Sequence, residues 1–348
     1  MSLPDLWFVL IAVLWTGFFV LEGFDFGVGA LHAVLARSND ERRVAINSIG
    51  PFWDGNEVWL IVGAAGIFAA FPGWYATWFS AGYLLVLLLL VALILRGVSF
   101  EFRGKVDSQR WRHTWSGTLT FGSLLAPLAL GLLLGDLVAG LPVNADQEFT
   151  GTFWDLFTGY GAWTALTLGL LCLVHGSTFL ALRTTGGLAE RARTLGQRLA
   201  WAGMVSLVVL ALWTIDLRDV GPVGYAVLAL LPIAVLVALL NLRVERDGRA
   251  FAATAVAIGG TVASLFLVLH PTVLVSSTST SYDLTVANTA SGDYALKVMT
   301  IIVAVILPVV LLYQGYTYVV FRHRLATPPP PAHDTPSRAS DVPAPHPG

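Results

Sequence analysis

Long apolar runs fill most of the chain, and short clusters rich in Arg, Pro and Gly separate them. A bilayer needs about 20 consecutive apolar residues to be crossed by a helix. On that measure the pattern predicts nine helices, over 6–36, 51–71, 75–95, 116–140, 157–182, 198–215, 222–242, 251–270 and 295–321. Pro4, Pro72, Pro142, Pro222 and Pro271 fall at the edges of these runs, where proline punctuates best. Pro127, Pro232 and Pro308 fall inside, where neighbouring helices must satisfy the freed carbonyls. The predicted class is an all-α, polytopic membrane protein: one integral membrane domain over 1–325, then a proline-rich tail over 326–348. That tail cannot build a core and is expected to be disordered. Ser38 and Glu41 in "SNDE" have capping-box spacing, which predicts a short helix at the membrane surface.

Basic residues fix the expected orientation. With the N-terminus outside, 18 of the 20 Lys and Arg fall in inner loops or in the cytoplasmic tail, and only Arg218 and Lys297 fall outside. That count places Arg96 in the second inner loop, with Arg103, Lys105, Arg110 and Arg112. No cleaved signal peptide is read at "MSLPDLW".

Composition agrees with the pattern. The 348 residues are 56% hydrophobic and 12% charged, and mean hydropathy is +0.72. A net charge of -2 argues against a nucleic-acid partner. The single cysteine, Cys172, excludes an internal disulfide and a cysteine-cluster metal site. Of the tryptophans, Trp7, Trp74, Trp78, Trp154 and Trp213 are placed to form an interfacial aromatic belt.

Against this apolar background, carboxylates stand out. Glu22 and Asp25 are three residues apart on helix 1, and Asp54 and Glu57 are three apart on helix 2, so each pair shares a face. A short loop joins the two helices. All four acids are therefore expected to gather in the inner half of the membrane. A carboxylate in lipid costs several kcal/mol, so it must face the protein interior, protonated or hydrated. Such a cluster either handles protons or pins helix 1 to helix 2, with Asn47, Asn56, Trp53 and Trp59 as partners. Gly23 and Gly27 have the spacing that lets helix backbones approach closely. Neither acidic pair has a histidine at the Glu-x-x-His offset of carboxylate metal sites, so no metal is expected. His175 lies inside helix 5 and His32 near the inner end of helix 1. A bis-histidine haem requires two such residues face to face, whereas a lone intramembrane His is more often hydrogen-bonded structure.

At these residues the chain resembles the second subunit of cytochrome bd-type quinol oxidases. The resemblance rests on "EGFDFGVGAL", "ERRVAINSIGPFWDGNEVWLI", "LRGVSFEFRGKVDSQRWRHTW", "FGSLLAPLALG" and "VSSTSTSYDLTVANTASGDYALKVMTIIVAVILPVVLLYQGYTY". These cover nearly everything but the tail. The resemblance implies two four-helix bundles plus one peripheral helix, in a multi-pass protein of the bacterial cytoplasmic membrane. It implies a haem-free chain paired with a haem-bearing subunit I that carries haem b and haem d. Together they oxidise quinol and reduce O2 to water with four electrons. A structural quinone, small single-helix accessory subunits and membrane lipid complete the expected company. The resemblance places Glu22, Asp25, Asp54 and Glu57 on a cytoplasmic proton pathway, Glu57 at a position that also accepts an amide, and Trp59 on an oxygen route. No catalytic or cofactor-binding residue is expected on this chain. Two rivals are a proton-coupled transporter and a free-standing dihaem cytochrome.

Overall fold

The computed structural model describes residues 2–326. Its helices are α1 (Leu3–Leu35), α2 (Asn39–Ile49), α3 (Trp53–Ala70), α4 (Pro72–Ala81), α5 (Tyr83–Phe102), α6 (Gln109–Ala139), α7 (Gly159–Arg183), α8 (Gly186–Leu217), α9 (Gly221–Arg243), α10 (Asp247–Leu269), α11 (Val286–Thr289) and α12 (Asp293–Val320). Short strands β1 (Thr272–Leu274) and β2 (Leu284–Thr285) pair antiparallel between α10 and α11. The expected tail lies, apart from Ala326, outside the described residues.

Local chemistry sets the helix starts. Ser2 and Asp5 cap α1 reciprocally, and Pro4 sits in its first turn, where its missing N–H costs nothing. The Ser38 hydroxyl accepts from the Glu41 N–H at 3.1 Å and opens α2. That helix is the expected surface helix, burying Val44, Ala45, Ile46, Ser48 and Ile49 against the bundle. Pro127, Pro232 and Pro308 are all accommodated inside helices.

Eight helices (α1, α5, α6, α7, α8, α9, α10 and α12) are long and apolar enough to cross a membrane. The expected second span, α3, is a continuous helix of 18 residues whose first two turns carry Asp54 and Glu57; it is not among those eight. The expected third span, 75–95, is two helices. The chain breaks at Gly82, which packs so closely on Leu133 of α6 that a Cβ would come within 2.7 Å of its side chain. Helix α8 begins at Gly186, well before the predicted 198, because its polar first turns continue the helix past the apolar run.

The centre of the fold is α1, packed against α3, α6, α7 and α10. Close approach to α7 depends on glycine: a Cβ on Gly27 would overlap the Cys172 carbonyl and the Gly176 backbone. By contrast α12 is peripheral, with Leu296 its one buried residue. Polar contacts hold it. The Trp7 indole donates to Thr300 Oγ1 at 3.0 Å near one end. Near the other, Arg324 donates to Asp247 at 2.8 Å. The tryptophan belt is only partly as expected. Trp154 is 75% exposed, but Trp7, Trp74 and Trp78 are buried core residues: Trp74 and Trp78 stack on each other, with Phe8 and Trp15 tilted against them.

Candidate functional site

The acids of α1 lie in the middle of the bundle. Glu22 and Asp25 are fully buried, on a helix so central that no face of this stretch meets lipid. A buried carboxylate needs a cation or hydrogen-bond donors, and α5 supplies the cation. Arg96, itself fully buried, sets Nη1 2.5 Å from Glu22 Oε1 and 3.2 Å from Glu57 Oε2. Its guanidinium lies over the rings of Phe26, 4.9 Å from the centroid, and Phe100, at 5.4 Å. The contact with Glu22 is a close ion pair without hydrogen-bond alignment, since neither Glu22 oxygen has an aligned donor among the described residues. Asp25 Oδ1 and Arg96 Nε and Nη2 are likewise without protein partners there.

Asp25 is addressed by an amide network instead. Asn56 Nδ2 donates to Asp25 Oδ2 at 2.7 Å and to the Leu21 carbonyl at 3.0 Å. Asn56 Oδ1 accepts from Gln314 Nε2 at 2.9 Å and from the Tyr318 hydroxyl at 3.1 Å, both on α12. Gln314 Oε1 in turn accepts from the Trp59 indole at 2.7 Å. One connected polar set thus runs from the peripheral helix to the buried acid.

Three of the four expected carboxyls (Glu22, Asp25 and Glu57) come together around Arg96. The fourth, Asp54, is exposed. Residues three apart on a helix are offset in angle, and α3 turns Asp54 outward while its charge still reaches Glu57. Of the other expected partners, Asn56 joins the site, Trp53 stacks on Phe100 at 4.7 Å, and Asn47 is exposed. Trp59 lies against Gly17, on the α1 and α12 side of α3. On another side of α3 a cleft of about 720 Å³ opens, with Glu57, Trp15, Phe68, Trp78, Leu90 and Leu133 among its lining residues.

The sequence reading missed Arg96, Gln314 and Tyr318. Arg96 was placed in a loop, but α5 runs seven residues past the predicted end at 95 and holds it inside. The signal was present: one Arg between "VALIL" and "GVSF" has no polar neighbours, as a surface Arg would.

Histidines are used otherwise. His175 Nδ1 is 2.7 Å from Thr254 Oγ1, its Nε2 is 3.1 Å from the Val20 carbonyl, and its ring stacks on Phe251 at 4.5 Å. Both nitrogens are engaged by protein, so the ring cannot ligate iron without breaking one of these contacts. His32 Nδ1 contacts the Gly29 carbonyl at 2.7 Å, and the charges of Arg103 and Arg42 reach its ring. Among the described residues, no group of three or more His, Cys, Asp or Glu is gathered to hold a metal ion.

Apolar helices wrapped around a buried set of three carboxyls and one guanidinium define a multi-pass membrane protein with a charge-bearing interior. Comparison with known proteins makes this specific. The sequence pattern described as "Cytochrome bd terminal oxidase subunit II" matches residues 3–321. The chain is 45% identical over 329 residues to cytochrome bd ubiquinol oxidase subunit 2 of Bacillus subtilis, covering 93% of this chain and 97% of that protein. It is 32% identical over 350 residues to cytochrome bd-I ubiquinol oxidase subunit 2 of Escherichia coli K12, covering 90% and 92%. Its fold matches a chain of the bd oxidase from Geobacillus thermodenitrificans with TM-score 0.66 at 18% identity, over 92% of this chain and 98% of that one. The chain belongs to the cytochrome bd terminal oxidase subunit II family.

Proposed function

We propose that this chain is the haem-free subunit of an electrogenic quinol oxidase in the bacterial cytoplasmic membrane, and that its buried acids carry protons inward from the cytoplasmic side. Family membership over residues 3–321 supports the oxidase role. A haem-bearing subunit I holds haem b and haem d, which supply the electron chemistry of O2 reduction. Small single-helix accessory subunits and a structural quinone belong to the same assembly. In this reading α3 is a ninth span. The N-terminus is then outside, and the tail is cytoplasmic. Helices α1, α3, α5 and α6 form one four-helix group, α7 to α10 the other, and α12 lies at the edge.

One observation carries the proton reading. Arg96 contacts buried Glu22 and partly exposed Glu57, and buried Asp25 lies one helical turn from Glu22. The two fully buried carboxyls face one buried guanidinium, and the uncompensated charge costs several kcal/mol unless a proton neutralises it. A set that must hold protons, yet exchanges them through the partly exposed Glu57, is suited to passing them on. Asp54, exposed beside Glu57, is the entry group. Glu57, Glu22 and Asp25 follow, and atoms without protein partners mark where water joins the path. Asn56 holds Asp25 in place, so this chain's work is to position and hand over protons at the Asp25 and Glu22 oxygens. Each charge crossing the full field is worth about 2.3 kcal/mol per 100 mV. Trp59 is assigned to an apolar oxygen route in the same reading. The transporter alternative has no comparable support.

The test is purification through an affinity tag on this chain. A haem-bearing chain should co-purify, with quinol-driven O2 consumption, and this chain expressed alone should carry no haem absorbance. Haem bound to the isolated chain, or the absence of any haem-bearing partner, defeats the proposal.

A further inference from the structure

A second charged cluster lies where the inner ends of α1, α2, α5 and α6 meet, and the proton reading does not use it. Arg103, just past α5, is 6% exposed yet touches no carboxylate. Its Nε donates to Ser116 Oγ at 2.8 Å and its Nη2 to Asn39 Oδ1 at 2.7 Å, both neutral acceptors. Burial, and then the charges of Arg42, Arg112 and Arg43, hold this guanidinium below its ordinary value. Asn39 is one turn before Arg42 and Arg43 on α2, and Ser116 one turn after Arg112 on α6, so these two contacts bring four arginines to one basin. Nearby carboxylates are turned outward or engaged elsewhere: Asp40 is 4.0 Å from Arg43 and Asp107 pairs with Arg112, with side chains 56% and 96% exposed, Glu101 is exposed, and Glu41 is held by Arg191. Buried N–H groups are left over, since Arg42 Nε and Arg112 Nε have no partner among the described residues. His32, near the end of α1, is fully buried. A carbonyl can only accept, so its Nδ1 donates to Gly29, and Nε2 remains unpartnered.

Like charges crowded at a buried position are unfavourable unless an anion compensates them. Guanidinium N–H groups match phosphate oxygens well. On the inner membrane surface such a basin also meets anionic headgroups. We infer that Arg42, Arg103 and Arg112 bind one phosphate group: the headgroup of an anionic phospholipid or free hydrogen phosphate. This site is independent of the proton reading.

The test uses the intact complex in detergent and native mass spectrometry, with phosphatidylglycerol, phosphatidylcholine and inorganic phosphate as probes. Ser116→Asp sets a carboxylate beside Arg103 Nε and supplies the missing anion from within. It is expected to leave assembly intact and to weaken phosphatidylglycerol retention roughly tenfold, as is Arg103→Gln. Phosphatidylcholine retention should not change. Retention of phosphatidylglycerol identifies the lipid as source; phosphate binding without lipid preference identifies the free anion. Either result, if lost in Ser116→Asp, supports the site. The inference is overturned if neither probe binds, if Ser116→Asp retains it as wild type does, or if the substitution loosens the partner subunit while lipid retention stands. That last result would mean that the basin holds a protein carboxylate.

Discussion

Replacing Arg96 by Met removes the cation and keeps most of the side-chain volume between Phe26 and Phe100. What remains is Glu22, fully buried, beside Asp25 and Glu57, with no positive charge in contact. Breaking a buried ion pair from one side costs about 3–5 kcal/mol, because the orphaned charge keeps its desolvation penalty. Glu22→Gln alone should cost less, roughly 1–3 kcal/mol, since Arg96 retains Glu57 at 3.2 Å. The double variant Arg96→Met with Glu22→Gln leaves an amide facing an apolar side chain, and should be more stable than Arg96→Met. The coupling must then exceed the cost of Glu22→Gln alone, and is expected at about 3 kcal/mol. Thermal unfolding of the detergent-solubilised complex, followed by tryptophan fluorescence, measures this. Arg96→Met should melt well below wild type, and adding Glu22→Gln should recover part of the loss. If Arg96→Met melts with wild type, or the two changes simply add, Arg96 is not the counterion of the buried acids.

Two further outcomes are expected. Gly27→Ala forces a Cβ into the Cys172 carbonyl and the Gly176 backbone, whereas Gly117→Ala meets nothing within 4 Å; native gels should show lower complex yield for the first, at a cost of about 1–3 kcal/mol, and none for the second. Glu41 ties α2 to α8: burial acts to raise its carboxyl, but bonds from Arg191 at 2.7 Å and the Arg37 N–H at 2.6 Å outweigh this and hold it below the ordinary 4.5. A depressed carboxyl contributes stability that is present above its unfolded value and lost as pH falls through the folded one. Hydrogen exchange in α2 should therefore rise as pH drops below about 4.5 in wild type, and lose that step in Glu41→Gln.

The acids were legible because a carboxylate inside an apolar run has few rational positions other than a bundle interior. Asp54 shows the limit of that logic. Spacing assigns a face, but the orientation of α3 decides whether the rim of that face is covered. Arg96 was lost to a boundary error: the apolar density falls after Leu95, yet α5 continues to Phe102, and a cation one residue past the predicted end was taken as a loop residue. Gln314 and Tyr318 sit 258 and 262 residues from Asn56, and no local pattern announces such a pairing. The break at Gly82 is equally silent, since Leu133, which excludes a side chain there, comes from α6. Trp74 and Trp78 look interfacial by position, but they stack on each other and pack against Phe71 inside the core.

Proton uptake by the assembled oxidase in vesicles tests the central claim most directly. Asp25→Asn preserves the shape that Asn56 addresses and removes the titratable oxygen. Quinol-driven O2 consumption and proton uptake from the cytoplasmic side should both fall by at least about tenfold, as expected when a proton-transfer group is lost, while haem absorbance of the complex stays at the wild-type level. Wild-type turnover and uptake in Asp25→Asn would mean that the buried acids only hold the helices together.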